Sequence, residues 1–176
     1  MAFEPGGYAD KLGNRFEGRW VARQLLLLLN EQIRSVTLES VGDDEAGVDL
    51  WIERGDGVRE AQQCKAENGT KPSWSLADLK RRGVLDHLRT QLERDSRHEF
   101  TLVSGSPAPQ LRDLSRSARD STGDAESFYR DQIQAGSNER QTAFTDWCHG
   151  LGLRESEGND RAVAFGLLSR SGFHLF

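Results

Sequence analysis

The chain has 176 residues, of which 36% are apolar and 29% are charged, and its net charge is −5. This length predicts one domain with its own hydrophobic core, and the acidity argues against a protein that coats DNA constitutively. The longest apolar run, Leu25 to Leu29, is too short for a membrane span, and no basic region leads into an apolar stretch near the N-terminus, so we expect neither a membrane helix nor a secretion signal.

The chain contains two cysteines, Cys64 and Cys148, and no CxxC pair. A zinc site or a disulfide framework is therefore not expected, and a reducing cytoplasm fits this composition. No GxxxxGK[ST] loop occurs, so nucleotide binding through a P-loop is not expected either.

The first predicted element is a long helix over residues 13–33. Asn14 is its expected N-cap, and Glu17 follows three residues later, as in a capping box. A β-branched alternating segment over 35–41 predicts a strand, and "GDDEAG" over 42–47 predicts a tight acidic turn.

Two further strands, 48–53 and 58–65, flank an Asp-Gly turn of the kind that closes a β-hairpin. A second helix is predicted to begin at Ser75, where Asp78 completes a capping box, and Gly83 is a weak point within it.

A fourth strand over 99–104 and a helix beginning near Ala108 complete the order helix, three strands, helix, strand, helix. This order predicts an α/β fold with a mixed sheet flanked by helices. The remaining residues, 121–176, are predicted to add helices, one of them capped near Ser137 or Asn138 and ending at Gly150. The closing "GFHLF" is also compatible with a strand.

Acidic residues are concentrated in residues 39–60, which contain eight acids and two bases. Such a cluster is either a solvated loop or a cation site. We interpret Asp43, Asp44 and Glu45 as a solvated turn because turns favour Asp. Glu39 is a lesser candidate ligand, since an outward strand position explains it equally well.

Three polar side chains are predicted to share one end of the sheet. Side chains alternate along a strand, so Gln63 and Lys65 point to the same face, and the hairpin returns Asp49 beside them. Carboxylate and amide oxygens suit Mg²⁺, and a lysine can orient a water or offset charge on a phosphate. The alternative is an ordinary hairpin with a solvated rim.

Glu17 is a fourth candidate because helical periodicity places it on the apolar side of the first helix. A carboxylate aimed at the sheet needs a partner, and a metal ion would supply one. The competing interpretation, that Glu17 only closes a capping box with Asn14, is equally compatible with the sequence.

The ordered pattern of Glu17, Gly47, Asp49, Gln63 and Lys65 resembles the PD-(D/E)XK, or restriction-endonuclease-like, nuclease superfamily. The form "GxD…QxK" is similar to its Mrr-like branch. The wording "GGYADKLGNRFEGRW", "GVDLWIE", "AQQCKAENG" and "WSLADL" resembles nuclease domains at the N-terminus of bacterial antiphage effectors, found in CD-NTase-associated effectors and antiviral STAND NTPases. The resemblance covers about residues 5–120.

The resemblance implies a restriction-endonuclease-like αβββαβ core with additional C-terminal helices, as one nuclease domain over 1–176 at the N-terminus of a longer effector. It also implies metal-dependent hydrolysis of double-stranded DNA with low sequence specificity. The implied cofactor is Mg²⁺, with Mn²⁺ as a substitute. The implied partners are duplex DNA, further copies of the chain on activation, and a fused or neighbouring sensor or NTPase domain in the bacterial cytoplasm.

Position by position, the resemblance implies that Asp49 is the main metal ligand and that Gln63 supplies a side-chain oxygen. The backbone carbonyl of Cys64 completes the inner set, and Lys65 positions or activates the attacking water. Glu17 becomes an outer ligand or a ligand of a second ion. Because Gln63 is neutral where Glu is usual, the cation is expected to bind less tightly.

Four basic residues are candidates for contacts with DNA phosphates, although basic residues on helices are often only solvated. They are Lys71, Lys80, Arg81 and Arg82. Two alternative functions stay open: a non-catalytic module that binds DNA or a protein partner, and a structure-specific resolvase. The four histidines lack partners at ligand spacing and are interpreted as structural.

Overall fold

The computed structural model describes residues 5–38, 42–121 and 123–176 of the chain. The helices in these ranges are α1 (Pro5–Leu29), α2 (Leu76–Arg81), α3 (Val84–Arg94), α4 (Pro109–Asp120), α5 (Ala125–Phe128), α6 (Asn138–Gly150) and α7 (Gly158–Ser169). The strands are β1 (Ser35–Leu38), β2 (Leu50–Glu53), β3 (Arg59–Lys65), β4 (His98–Ser104) and β5 (Ser171–Leu175). A short 3₁₀ helix, Gly42–Asp44, precedes β2, and a π-helix, Tyr129–Gln134, follows α5.

The strands form one mixed sheet in the order β1-β2-β3-β4-β5. β1, β2 and β3 pair antiparallel, whereas β4 and β5 run parallel to β3. The predicted hairpin between β2 and β3 is confirmed, with the Arg54 amide donating to the Val58 carbonyl across the turn. The α/β class with a mixed sheet and flanking helices is also confirmed.

Helices cover the two faces of the sheet unequally. On one face, Trp51, Ala61, Phe100 and Leu102 pack in a large core with residues from α2, α3, α4, α6 and α7. On the other face, Leu50, Ile52 and Val103 pack against Trp20 of α1. Alternate residues of β2 and β3 therefore face different helices, which decides what each polar side chain at the strand ends can reach.

The predicted start of the first helix is wrong. The described part of the helix extends from Pro5, so Asn14 lies in its interior and cannot act as an N-cap, which requires a non-helical backbone. The helix ends at Leu29, close to Glu31, which has φ +58°.

The predicted second helix is divided in two at Gly83. Its start is confirmed, since Ser75 is the N-cap of α2 and a reciprocal capping box joins Ser75 and Asp78. Gly83 then adopts φ +74° and precedes α3. A left-handed residue interrupts the helical hydrogen bonds, so the glycine ends one helix and begins the next.

The C-terminal part confirms α6, with Ser137 as its N-cap, and resolves the last segment as β5. The extension is therefore not only helical, since it contributes a fifth strand parallel to β4. Of the predicted strand 35–41, β1 covers Ser35–Leu38, and residues 39–41 lie outside the described residues. In the part of the chain that is described, no helix is both long and apolar enough to cross a membrane.

Candidate active site

Asp49 lies just before β2 and is fixed to the end of β3 by two hydrogen bonds. Its backbone N–H donates to the Gln62 carbonyl at 3.0 Å, and its carboxylate Oδ2 accepts from the Cys64 N–H at 2.5 Å. Since Leu50 pairs with Gln62, the same antiparallel register sets Asp49 beside Gln63. The hairpin thus brings together residues that are 14 positions apart in the sequence.

Gln63 is buried, with 3% of its surface exposed. Its amide Nε2 lies 3.1 Å from Nδ1 of His87 on α3, whereas its carbonyl Oε1 is buried and has no hydrogen-bond partner among the described residues. A buried carbonyl oxygen without a partner costs roughly 1–3 kcal/mol. An oxygen in this state has its lone pairs available for a ligand.

Lys65 is the last residue of β3 and is half-buried. Alternation from Ala61, a member of the large core, puts Gln63 and Lys65 on the same face of the sheet. A carboxylate, an amide oxygen and an ammonium group are therefore grouped at the ends of two adjacent strands.

Glu17 approaches the same strand end from the opposite face. Cys64 packs with the cluster that contains Trp20 and Phe16 of α1, between which Glu17 lies in the sequence. Burial raises the pKa of the Cys64 thiol well above its ordinary value, and the negative charges of Asp49 and Glu17 raise it further, while Lys65 opposes them. Glu17 is thus within electrostatic range of the strand end, on the side away from Gln63.

The interpretation of Glu17 as a capping-box residue is wrong because Asn14 is not an N-cap. The structure gives Glu17 at least one polar or electrostatic contact, so it is not a free carboxylate.

The acidic turn is occupied by structural contacts. Asp44 forms ion pairs with Arg59 at 3.2 Å and Arg94 at 2.7 Å, and its carbonyl accepts from Trp51 Nε1. Although burial by itself would raise the pKa of Asp44, its hydrogen bonds to Arg94 and Arg59 lower that pKa overall. Glu45 is exposed, as expected for a solvated turn residue, while Glu39 lies outside the described residues, as does the side chain of Asp43.

Two of the predicted phosphate-binding residues meet at one buried carboxylate. Lys71 donates to Asp78 Oδ1 at 2.6 Å, and Arg81 donates to the same oxygen. Lys80 pairs instead with the exposed Asp86, and Arg82 is exposed. The side chains of Lys71, Lys80 and Arg81 remain 44–66% exposed, so they can still be reached by a large polyanion.

The strand-end group is not part of the cavity between α1 and the sheet. That cavity, of about 320 Å³, is lined by residues that include Trp20, Gln62 and His174, and not by Asp49, Gln63 or Lys65. The candidate site therefore lies outside this cavity, at a strand end where Gln63 is buried and Asp49 and Lys65 are half-buried.

Within the described ranges, no three His, Cys, Asp or Glu side chains converge to form a metal site. The strand-end group contains one carboxylate and one amide, which together carry three side-chain oxygens, and one of these, Asp49 Oδ2, already accepts from the Cys64 N–H. No protein-family model matches the chain, and no curated protein or solved structure matches it significantly.

His87 belongs to the site, although its sequence context gave no indication of it. Its ring also explains Gly47, which has φ +67°, because a Cβ on Gly47 would lie 2.1 Å from the ring atoms Cγ and Nδ1 of His87. The glycine two residues before Asp49 was visible in the sequence as part of "GxD". Its contact with the His87 ring could not be predicted, because that contact depends on the packing of α3 against the sheet.

Proposed function

We propose that the chain is a metal-dependent endonuclease that hydrolyses phosphodiester bonds of double-stranded DNA with low sequence specificity. It would have a restriction-endonuclease-like fold of the Mrr-like type and serve as the effector domain of a bacterial antiphage system. The succession of α1, three antiparallel strands, α2 and α3, and the parallel strand β4 supports this proposal.

One observation carries the proposal. The buried Oε1 of Gln63 has no hydrogen-bond partner among the described residues, and it belongs to the residue beside the fixed carboxylate of Asp49. Burying a polar atom without a partner is unfavourable, so its persistence in a folded protein suggests a ligand. An oxygen pair of this kind fits a hard divalent cation.

Asp49 and Gln63 would hold the cation through their side-chain oxygens, with the backbone carbonyl of Cys64 as a further ligand. Glu17 would act on it from the α1 side as an outer or second-ion ligand. The chemistry supplied by a bound Mg²⁺, or by Mn²⁺ in its place, is polarisation of the scissile phosphoryl group and activation of water.

The protein's own contribution to the reaction centres on Lys65. Its ammonium group lies on the same face as Gln63, two residues further along β3, where it offsets charge that builds on the phosphate and orients the attacking water. The hydrogen bond from the Cys64 amide holds the Asp49 carboxylate in one orientation, so no ordering of that side chain is needed when substrate arrives.

Duplex DNA would be held by Lys71, Lys80, Arg81 and Arg82 through its phosphates. Each of the three ion-paired members would exchange, or share, its contact with Asp78 or Asp86 for a contact with phosphate. Such exchange weakens binding by a single copy of an acidic chain. Clustering of several copies by a fused or neighbouring domain would raise the local concentration of sites.

The proposal is tested by cleavage of supercoiled plasmid DNA by the protein, clustered through its natural neighbouring domain, with Mg²⁺ or Mn²⁺. We expect nicked and linear products that EDTA abolishes, and at least a roughly 100-fold loss of rate for Lys65→Ala and for Asp49→Asn. Arg116→Ala, at an exposed ion pair on α4, is the matched control and should cleave normally. Cleavage that survives both EDTA and Lys65→Ala would rule out this mechanism.

A second candidate is a non-catalytic module that binds DNA or a protein partner. It is favoured by the single carboxylate in the strand-end group and by the prior engagement of its Oδ2 by the Cys64 amide. In this case the clustered protein would bind duplex DNA, or a protein partner, and would not cleave DNA in the presence of either Mg²⁺ or Mn²⁺. A structure-specific resolvase would instead cut branched DNA in preference to linear duplex in the same assay.

A further inference from the structure

We propose that His87 is a positioning residue that holds the Gln63 amide by its nitrogen and so turns the carbonyl oxygen away from α3, toward the ligand. This inference rests on the proposed function, because it takes Gln63 Oε1 to be a metal-binding oxygen. It assigns a role to a histidine that the metal-binding pattern itself does not contain.

The His87 ring lies against two glycines, and Gly47 approaches it most closely. A Cβ added to Gly47 would lie 2.1 Å from Cγ and Nδ1 of the ring, whereas a Cβ added to Gly83 would lie at ordinary contact distance, 3.6 Å from Cε1. Because Gly47 has no side chain, its backbone passes beside the ring while Nδ1 lies 3.1 Å from Gln63 Nε2.

The hydrogen bond to His87 then selects one of the two orientations of the Gln63 amide group. Nε2 of Gln63 can only donate, so the 3.1 Å contact makes Nδ1 of His87 the acceptor and puts the ring proton on Nε2. A rotated amide would direct its N–H groups at the cation site, where they would oppose a positive ion. Rotation about the last torsion of glutamine has broad, roughly two-fold preferences, so the side chain alone does not fix this choice.

The consequence is a specific effect on metal affinity. Loss of a hydrogen-bonding partner behind a metal ligand typically reduces metal affinity by about 10–100-fold. A residue that only packs against Gly47 and Gly83 would affect folding stability and leave the orientation of the amide unchanged.

Two substitutions separate packing from positioning. His87→Phe keeps a ring between the glycines and removes the acceptor, while His87→Asn removes the ring and keeps an acceptor oxygen at the same distance from the backbone. His149→Phe, on the exposed side of α6, is the matched control. Mn²⁺ binding to the full chain is measured by calorimetric titration, and thermal unfolding without metal is measured alongside.

We expect His87→Phe to weaken Mn²⁺ binding at least about 10-fold, and His87→Asn and His149→Phe to stay within about 3-fold of the wild type. Equal affinities for His87→Phe and the wild type, or equal losses in both His87 variants, would overturn the positioning role. Asp49→Asn separates this failure from that of the proposed function: if it leaves Mn²⁺ binding intact, the metal site itself is wrong.

A measurement on the wild-type protein tests the same inference even if the variants do not fold. Long-range ¹H–¹⁵N spectra of the wild type distinguish the two neutral tautomers of His87. A protonated Nε2 with an unprotonated Nδ1 is expected. The opposite tautomer would require the Gln63 oxygen to face the ring, and the inference would then be wrong.

Discussion

At the scale of single residues, Asp49 and Asp78 differ in the hydrogen-bond partners of their carboxylates, and this difference determines whether each carboxylate is available to a ligand. Asp78 is buried and accepts hydrogen bonds from Lys71, Ser75 and Asn68, as well as from Arg81. The hydrogen bond from Lys71, followed by those from Ser75, holds the pKa of Asp78 well below its ordinary value despite burial. The Asp49 carboxylate, in contrast, accepts a hydrogen bond from the Cys64 amide and forms no ion pair with any described residue, so it is oriented without being enclosed by cations.

The lowered pKa of Asp78 predicts how stability depends on pH. A carboxyl group with a depressed folded-state pKa stabilises the protein above its unfolded pKa, and this contribution is lost as pH falls through the folded value. Asp78→Asn should therefore lower the denaturant midpoint at pH 7, and the difference from the wild type should shrink progressively below about pH 4. Asp113→Asn, in an exposed pair with Arg112, is the control. A difference that is constant from pH 7 to pH 3 would contradict the assignment.

Much of the site could be predicted at this scale because two simple rules generate it. Strand alternation groups Gln63 with Lys65, and the Asp-Gly turn returns Asp49 to them. His87 could not be predicted, since it reaches Gln63 only through packing of α3 on the sheet. The side from which Glu17 approaches was equally hidden, because helical periodicity identifies an apolar side without saying which face of the sheet it covers.

At the scale of elements, glycines determine where helices and strands meet. Gly83 divides α2 from α3, and Gly47 lets the turn before β2 pass close to α3. The sequence identified Gly83 as a weak point because glycine disfavours helix interiors. It could not show that the second helix would divide there, which depends on how α2 and α3 separately bury their leucines.

Gly47→Ala should be more destabilising than the same change at another positive-φ glycine. Alanine in a left-handed conformation costs about 1–2 kcal/mol, and forcing a methyl group into the His87 ring adds about 1–3 kcal/mol, for a loss of roughly 2–5 kcal/mol. Gly57→Ala is the matched control, since its φ is +81° and a Cβ there meets nothing within 4 Å. Unfolding in urea measures both. Equal losses would mean that His87 moves aside at little cost.

Two features near the chain ends are not determined by local patterns. α1 extends to Pro5, ahead of any strong apolar periodicity, and β5, although compatible with the closing residues, is a short strand of intermediate burial whose partner, β4, is distant in the sequence. Sequence periodicity predicts a helix or strand when the side chains of that element themselves alternate between apolar and polar. The pairing of β5 with β4 depends instead on the fold around it, including the contact of Arg170 with carbonyls at His98 and Asp95.

At the scale of the whole molecule, charge limits the proposed binding of DNA. The net charge is −5, and three of the four candidate phosphate-binding residues are paired with acids. Binding by a single copy should therefore be weak and depend on few phosphate contacts. This charge distribution fits the proposed nuclease, which would act when several copies are gathered together.

Arg82→Ala should weaken binding to duplex DNA by a similar factor for different sequences and reduce the slope of log affinity against log salt concentration by about 1. Fluorescence anisotropy with labelled duplexes in EDTA measures this without cleavage. Arg112→Ala, on α4, should leave the slope unchanged. If both variants behave alike, the surface around α2 is not where DNA binds.

Anomalous diffraction from crystals of the full chain soaked in Mn²⁺ shows whether Asp49 and Gln63 share one divalent cation, as we propose. We expect a single strong manganese peak within about 2.5 Å of both a carboxylate oxygen of Asp49 and Oε1 of Gln63. A peak elsewhere, for example at the acidic turn 42–47, or no peak at these two atoms under conditions that support cleavage, would contradict it.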